Sequence, residues 1–434
     1  MSSENKPSIS TESYKGVRDF YPADQAIQNY IFGVWRNVAQ KFGYEEYGAS
    51  ILESAELYRA KSGEEIVNEQ TYTFKDRGDR EVTLRPEMTP TLARMIAAKK
   101  RELTFPVRWF STPNLFRYEK PQRGRLREHW QLNVDIFGVE GIQAEVEIIS
   151  LASEIMSGFG IKNDQFEIRI NSRRIVNYIL QTLMGLSESE SGKVAKIIDR
   201  KEKLPKADFE KLITETVGEK DNFLLTLLNS KNFEEFISRL PKETVLEEAL
   251  AEIRNLMAAL ENLGITNVVF DQTLMRGFDY YTGIVFEIFD LNPDNRRALF
   301  GGGRYDNLLE IFGEEKIPTI GFGMGDVTIR DVLETYNLLP ILKNSVSLAI
   351  CTIGDTVEFA QELAQKVRAS GKSVIVDYSG KKVGDQIKRA DKHGAKFILV
   401  VGEEEIKSGK FKIKNLETGE EKESGEDNLA NILG

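Results

Sequence analysis

Apolar positions change period several times along the chain, and each change marks an element. Ile27, Ile31, Val34, Trp35 and Val38 recur at helical spacing and Gly43 follows as a stop, so the pattern predicts an amphipathic helix after Pro22. Residues 47–52 and 70–74 read as strands, and the turn-rich 75–82 segment, KDRGDREV, as a hairpin connection. Residues 107–110 and 132–137 are strand-like runs on either side of a basic loop. A helix is predicted over 143–159, closed by Gly160, and a strand over 166–170. From about 172 to 262 the chain turns lysine- and glutamate-rich and reads as helices, with Pro205 and Pro241 as breaks. Leu246, Leu250, Ile253, Met257 and Leu260 form one stripe there. Strands return over 266–290. Residues 345–401 alternate strand and helix, which predicts a parallel sheet with helices. In that region Asp355 and Glu358 read as a helix start, Phe359, Leu363 and Val367 share a face, and Gly371 is the stop.

Composition adds bounds. At 434 residues the chain is too long for one core and suits two or three domains. At 41% hydrophobic it can bury sizeable cores, yet no apolar run approaches a membrane span. Residues 1–15 are polar, lack the apolar middle of a signal peptide and are expected to be a disordered lead-in. The single cysteine, Cys351, fits a reducing compartment and reads as a buried small hydrophobe within SLAICTI. With one cysteine and two distant histidines, His129 and His393, no zinc site is expected. The net charge of −10 does not suggest a nucleic-acid partner, but binding depends on local basic patches and one is present.

That patch lies in the stretch 83–138. Arg117, Lys120, Arg123, Arg125 and Arg127 surround Pro121 and Gly124 between the two strand-like runs. Strand alternation puts Arg117 and Glu119 on one face, and Gln131 and Asp135 on one face. Arginines on one wall and carboxylates on another suit a zwitterion beside a polyphosphate; the bland reading is a surface hairpin with solvated ion pairs. Downstream, Arg276 sits among apolar residues and needs an anion, from a ligand or from Asp279. Tyr280 and Tyr281 would face opposite sides of a strand, one toward a pocket. Gly301–Gly303 allow close backbone approach. Gly321, Gly323 and Gly325 precede a helix with Ile329, Val332 and Leu333 inward, at a spacing unlike the dinucleotide fingerprint.

The arrangement FRYE, loop, GRLREHWQ resembles the second signature motif of class II aminoacyl-tRNA synthetases. TLRPEMTP, LMRGFDYYTG and GGGRYD resemble the histidyl-tRNA synthetase family in particular. The resemblance implies an α+β fold: a class II antiparallel sheet flanked by helices over 16–335, a helical insertion at 172–262, a linker at 336–344 and an α/β anticodon-binding domain over 345–434. The insertion would pack against the acceptor arm of tRNA or serve as a structural linker. GVRDFYP and its helix resemble the first motif, which implies a homodimer. The implied activity is ligation of L-histidine to histidine tRNA through histidyl-adenylate, in the cytoplasm, with ATP as substrate and Mg2+ accompanying it. The alternative is a histidine-sensing regulatory paralogue that partners ATP-phosphoribosyltransferase; such proteins lack the last domain.

Roles follow from the same resemblance. Arg117 and Arg276 would flank the α-phosphate and are the catalytic candidates. Glu87, Thr89 and Gln131 would take the substrate ammonium, Asp135 with Tyr280 or Tyr281 would read the imidazole, and Met88 belongs to the same histidine-binding set. Glu119 would accept from the adenine amino group, and Arg127 and Gly325 complete the ATP-binding set. Gln122, Arg123 and Arg125 would meet the tRNA acceptor end. One departure stands out: where the third motif carries Gly-Leu-Glu-Arg this chain reads Gly325-Asp326-Val327-Thr328. The arginine expected on ATP is missing. Arg330, about 200° around the helix, should face away, which leaves an arginine of the 120s loop as the expected substitute.

Overall fold

The computed structural model describes residues 9–59, 70–275, 281–295, 297–342 and 346–433. Arg276, Asp279 and Tyr280 lie outside the described residues. The chain divides into two compact units, Met1–Leu339 and Pro340–Gly434.

The first unit is built on strands β1 (Glu45–Glu46), β2 (Leu52–Ser54), β3 (Tyr72–Lys75), β4 (Glu81–Leu84), β5 (Val107–Ser111), β6 (Asn114–Phe116), β7 (Glu128–Phe137), β8 (Phe166–Ser172), β9 (Val268–Phe270), β10 (Ile284–Asp290), β11 (Ala298–Arg304) and β12 (Thr319–Gly325). Nine of them form one sheet in the order β1-β5-β7-β12-β11-β10-β8-β9, with β6 paired to β7. The centre is antiparallel; β1 on β5 and β9 on β8 are parallel pairs. Period-two alternation divides the faces. Leu132, Val134 and Ile136 of β7 enter the core, where the helix Pro22–Lys41 buries Ile31, Trp35 and Val38 and the helix Gln143–Gly158 packs alongside. Trp35 Nε1 donates to Met324 Sδ at 3.0 Å. Gln131, Asn133 and Asp135 alternate to the other face.

The predicted stop after the first helix is present; the strand expected over 70–74 runs Tyr72–Lys75 and pairs with Glu81–Leu84, so the 75–82 connection is partly strand, and the helix expected over 143–159 runs Gln143–Gly158. The segment 47–52 is not one strand: only short β1 and β2 form around it. The 172–262 region is helical, with Pro205 directly before the helix Lys206–Val217 and Pro241 before Thr244–Asn262. Leu246, Leu250, Ile253 and Leu260 are buried and Met257 packs at their edge, so this region shares the core of the main sheet. The 266–290 stretch is also interrupted. β9 ends at Phe270, where Asp271 Oδ1 accepts from Thr273 N at 2.8 Å and Oγ1 at 2.6 Å, a turn made by a short carboxylate on its own backbone. Tyr281 therefore lies outside the strands, and the alternation argument for the tyrosine pair does not apply.

The lead-in is held at its end: Tyr14 Oη and the Lys15 carbonyl accept from Arg127 Nη1 at 3.2 and 3.3 Å, contacts no apolar pattern announces.

The second unit holds β13 (Val346–Thr352), β14 (Val374–Val376), β15 (Ala395–Val401), β16 (Lys410–Asn415) and β17 (Glu421–Gly425) in the order β14-β13-β15-β16-β17. The first three are parallel, as the alternation predicts, and an antiparallel hairpin extends the sheet. The helix Val357–Ala369 starts from Thr356, not from an Asp355 cap: the Thr356 hydroxyl donates to the Ile353 and Val401 carbonyls. Leu363 and Val367 are buried with Phe359 beside them, and Gly371 adopts φ +83 after the helix. Cys351 is buried, which pushes its thiol up to about 11 and keeps it unreactive.

Candidate active site

β7 supplies one wall of a cleft, and β12 its floor. Their register places Asp135 opposite Gly321, Asn133 opposite Gly323 and Gln131 opposite Gly325. The glycines have a steric purpose. A Cβ at Gly321 would lie 2.7 Å from Asp135 Cγ and 2.6 Å from the Val134 carbonyl oxygen. A Cβ at Gly323 would lie 2.8 Å from Gln131 Cδ. Bare backbone on β12 is what lets the β7 side chains lie across the sheet. Gly303 of β11 does the same for Tyr281, whose Cδ1 would be 2.9 Å from an added Cβ.

The second wall comes from the chain between β4 and β7. Arg117 follows β6 and donates from Nε to the Pro86 carbonyl at 2.9 Å, which fixes its guanidinium plane. Glu87 is buried just ahead of the helix Thr89–Lys99 and lines the cleft with Thr89. The cleft thus gathers Glu87, Thr89, Arg117, Gln131, Asp135 and Tyr281, six residues that sequence separates by up to 194 positions (281 − 87). One cation, two buried carboxyl groups and amide and hydroxyl groups in a glycine-floored cleft suit a small zwitterion.

Asp135 is strongly perturbed within it. Burial pushes its carboxyl up to about 7, and a hydrogen bond donated by the Tyr305 hydroxyl to Oδ1 opposes that rise. Tyr305 and Tyr281 meet edge to face, ring centroids 6.4 Å apart. Sequence reasoning quoted GGGRYD but gave Tyr305 no role; Asn133, which also lines the cleft, went unnamed. The signal was the alternation of β7, which puts 131, 133 and 135 on one face. Tyr305 is aimed by its neighbour: Arg304 makes a buried, two-pronged ion pair to Glu145 at 2.5 and 2.7 Å, pinning β11 to the helix Gln143–Gly158.

Other predicted site residues lie outside this lining. Met88 is buried at the helix start. Glu119 sits 3.9 Å from Arg125, and Gly325 ends β12 and starts the next helix. Arg127 is not among the residues lining the cleft: it lies over the Tyr118 ring at 4.1 Å and donates from Nε to the Glu119 carbonyl, with Tyr14 and Lys15 taking the rest of its guanidinium and the Gly16 carbonyl its backbone N–H. Gln122 and Arg125 exchange backbone hydrogen bonds at 3.0 and 2.9 Å around Gly124, φ +79, so Arg123 and Arg125 project from a tight exposed turn. Thr328 donates to the Gly325 and Leu299 carbonyls, and Arg330 pairs with Glu334 and Asp24 at 3.0 Å each, away from the cleft as its helical position requires.

Asp326 was quoted only as a departure, yet it is a hub. Fully buried, it accepts from Arg18 Nη2 at 2.6 Å, Gln28 Nε2 at 3.2 Å and Trp130 N at 2.9 Å. It ties GVRDFYP, the first helix and β7 to the end of β12. Nearby, burial and the Arg117 and Arg18 charges push His129 down to about 3, so it stays neutral.

Comparison with known proteins agrees with this geometry. A family model described as histidyl-tRNA synthetase matches residues 16–327, and one described as anticodon binding domain matches residues 345–434. The histidine–tRNA ligase of Leptospira biflexa serovar Patoc is 45% identical over 418 residues, 94% of each chain. That of Thermoplasma volcanium is 38% identical over 414 residues, 94% of this chain and 95% of the relative. The crystal structure of histidyl-tRNA synthetase from Nostoc sp. PCC 7120 shares the fold with a TM-score of 0.80 at 22% identity, over 98% of this chain and 99% of the other. An α+β sheet unit followed by an α/β anticodon-binding domain, with relatives matching along nearly its whole length, places the molecule: the chain belongs to the histidyl-tRNA synthetase family.

Proposed function

We propose that the chain is a histidine–tRNA ligase that runs two steps at one site. ATP and L-histidine give histidyl-adenylate and pyrophosphate; the 3′-terminal adenosine of histidine tRNA then takes the histidyl group. The observation that carries this reading is the convergence of Glu87, Arg117, Gln131, Asp135 and Tyr281 on one cleft in a chain 45% identical to a histidine–tRNA ligase.

Histidine enters with its ammonium toward Glu87, Thr89 and Gln131. Its imidazole meets Asp135 and Tyr281, and the carboxylate is left facing Arg117. Activation needs no protein base, because that carboxylate is already ionised. Attack on the α-phosphate develops negative charge at phosphorus, and fixed cations stabilise it. Arg117 supplies one of them; its charge is permanent and its plane is set by the Pro86 carbonyl. Arg276 supplies the other, on the resemblance alone. ATP comes as its magnesium complex. The exposed turn at Gln122–Arg125 takes the acceptor end of tRNA, and the 345–434 domain takes the anticodon. Specificity follows from Asp135 and Tyr281: they meet the two ring nitrogens of histidine, and an amino acid without those nitrogens forgoes both hydrogen bonds. The working form is a homodimer joined through the 16–41 region, in the cytoplasm; among the described residues no helix is long and apolar enough to cross a membrane.

The test is pyrophosphate exchange with Arg117→Ala and Arg276→Ala, alongside calorimetric histidine binding. Each variant should lose exchange at least about a hundredfold, the scale of one transition-state charge contact, while still binding histidine. Near-normal exchange in either would remove that arginine from the mechanism.

A further inference from the structure

With Thr328 in place of an arginine, no cation of the helix Asp326–Thr335 faces the end of the cleft. Thr328 is spent on two carbonyls and Arg330 on Glu334 and Asp24. One turn beyond Thr328, on the same face, stands Asp331. Its carboxylate takes two guanidinium groups. One is Arg123, from the exposed turn, with Nε at 2.8 Å. The other is Arg297, whose Nη2 donates to Oδ2.

Arg297 is the better-held of the two. It immediately precedes β11, and its carbonyl accepts from Asp290 N at 3.0 Å. Its side chain is 26% exposed, against 62% for Arg123. Its Nε is buried and makes no hydrogen bond among the described residues. Gly124 lies against the guanidinium, where an added Cβ would come within 3.1 Å of Arg297 Cζ. Four residues further along the chain, within β11, Gly301 lines the cleft. Arg297 stands where the start of β11, the basic turn and the helix after β12 meet, on the strand that carries the cleft-lining Gly301.

Resting on the reading of the cleft as a site for ATP and histidine, we infer that Arg297 binds the terminal phosphate of ATP, replacing from the start of β11 the arginine that position 328 lacks. Asp331 holds the guanidinium in place, and the phosphate takes the donors that Asp331 leaves over. Position 297 is not legible in the sequence because its relation to 328 runs across strands: Leu299 and Thr328, which a hydrogen bond joins, are 29 positions apart.

The experiment is calorimetric titration of wild type and Arg297→Ala with ATP and, separately, AMP. ATP affinity should fall roughly tenfold to a hundredfold, the scale of a lost charged hydrogen bond, with AMP affinity unchanged. Adding Thr328→Arg to Arg297→Ala should restore ATP affinity. Arg297→Gln keeps a donor for Asp331 and removes the charge, so it serves if the alanine variant does not fold, with the same expected ATP loss. An unchanged ATP-to-AMP ratio, with or without a drop in melting temperature, would make Arg297 a structural tie between β11 and the helix and overturn the inference. If wild type exchanges pyrophosphate with histidine while that ratio is unchanged, the reading of the cleft stands and only Arg297's role falls. A wild type that binds no ATP overturns both.

Discussion

At the scale of the residue, Asp135 carries the clearest consequence. Its carboxyl is pushed up from 3.8 to about 7 by burial. Between these values the folded chain holds a proton that the unfolded chain has lost, so this group's contribution to stability falls as pH rises through that window, by up to about 1.4 kcal/mol per unit. Asp135→Asn should flatten that part of the pH dependence. Urea unfolding of both chains at about pH 5 and about pH 7 checks it, and equal slopes would place Asp135's titration elsewhere. The same residue should set histidine affinity: Asp135→Ala should weaken histidine binding roughly tenfold or more without a matching change for ATP, by titration calorimetry. Asp135 and Gln131 were legible as cleft residues because strand period and motif agreed on them; Arg117 was legible from the motif alone, since it lies past the end of β6. Tyr305 and Arg297 were not, since each acts across a strand pair that no local pattern reports.

At the scale of the element, the glycines of β12 and the hub at its end organise the site. Gly321→Ala would meet the Val134 carbonyl, which cannot move, and Gly323→Ala only the Gln131 side chain, which can. Gly321→Ala should therefore be the more destabilising, by roughly 1–3 kcal/mol for an overpacked site, and denaturant midpoints in the reverse order would contradict this packing. Asp326→Ala should cost roughly 3 kcal/mol, because it strands Arg18 and the Trp130 amide around a buried void. The first helix and the 244–262 helix were legible from their stripes, although Met257, read as one of the stripe, is only partly buried. The short strands around 45–54 and the break after Phe270 were not: two- and three-residue strands have no period to read, and the break depends on Asp271 capping its own turn.

At the scale of the whole molecule, the change of pattern after Pro340 marks a second unit with its own core, in which the antiparallel β16–β17 hairpin extends the parallel sheet beyond what alternation foretold. The fold class was legible because period and motif order ran together over the full length. What the unusual third motif does to activity was not, since Thr328 says only what is missing. The first experiment is therefore pyrophosphate exchange into ATP by the unmodified chain with each of the twenty amino acids in turn. Exchange with histidine alone is the expected result, and it would show that a chain with Thr328 activates its substrate. Histidine binding without exchange, or exchange led by another amino acid, would contradict the assignment of this cleft to histidine activation.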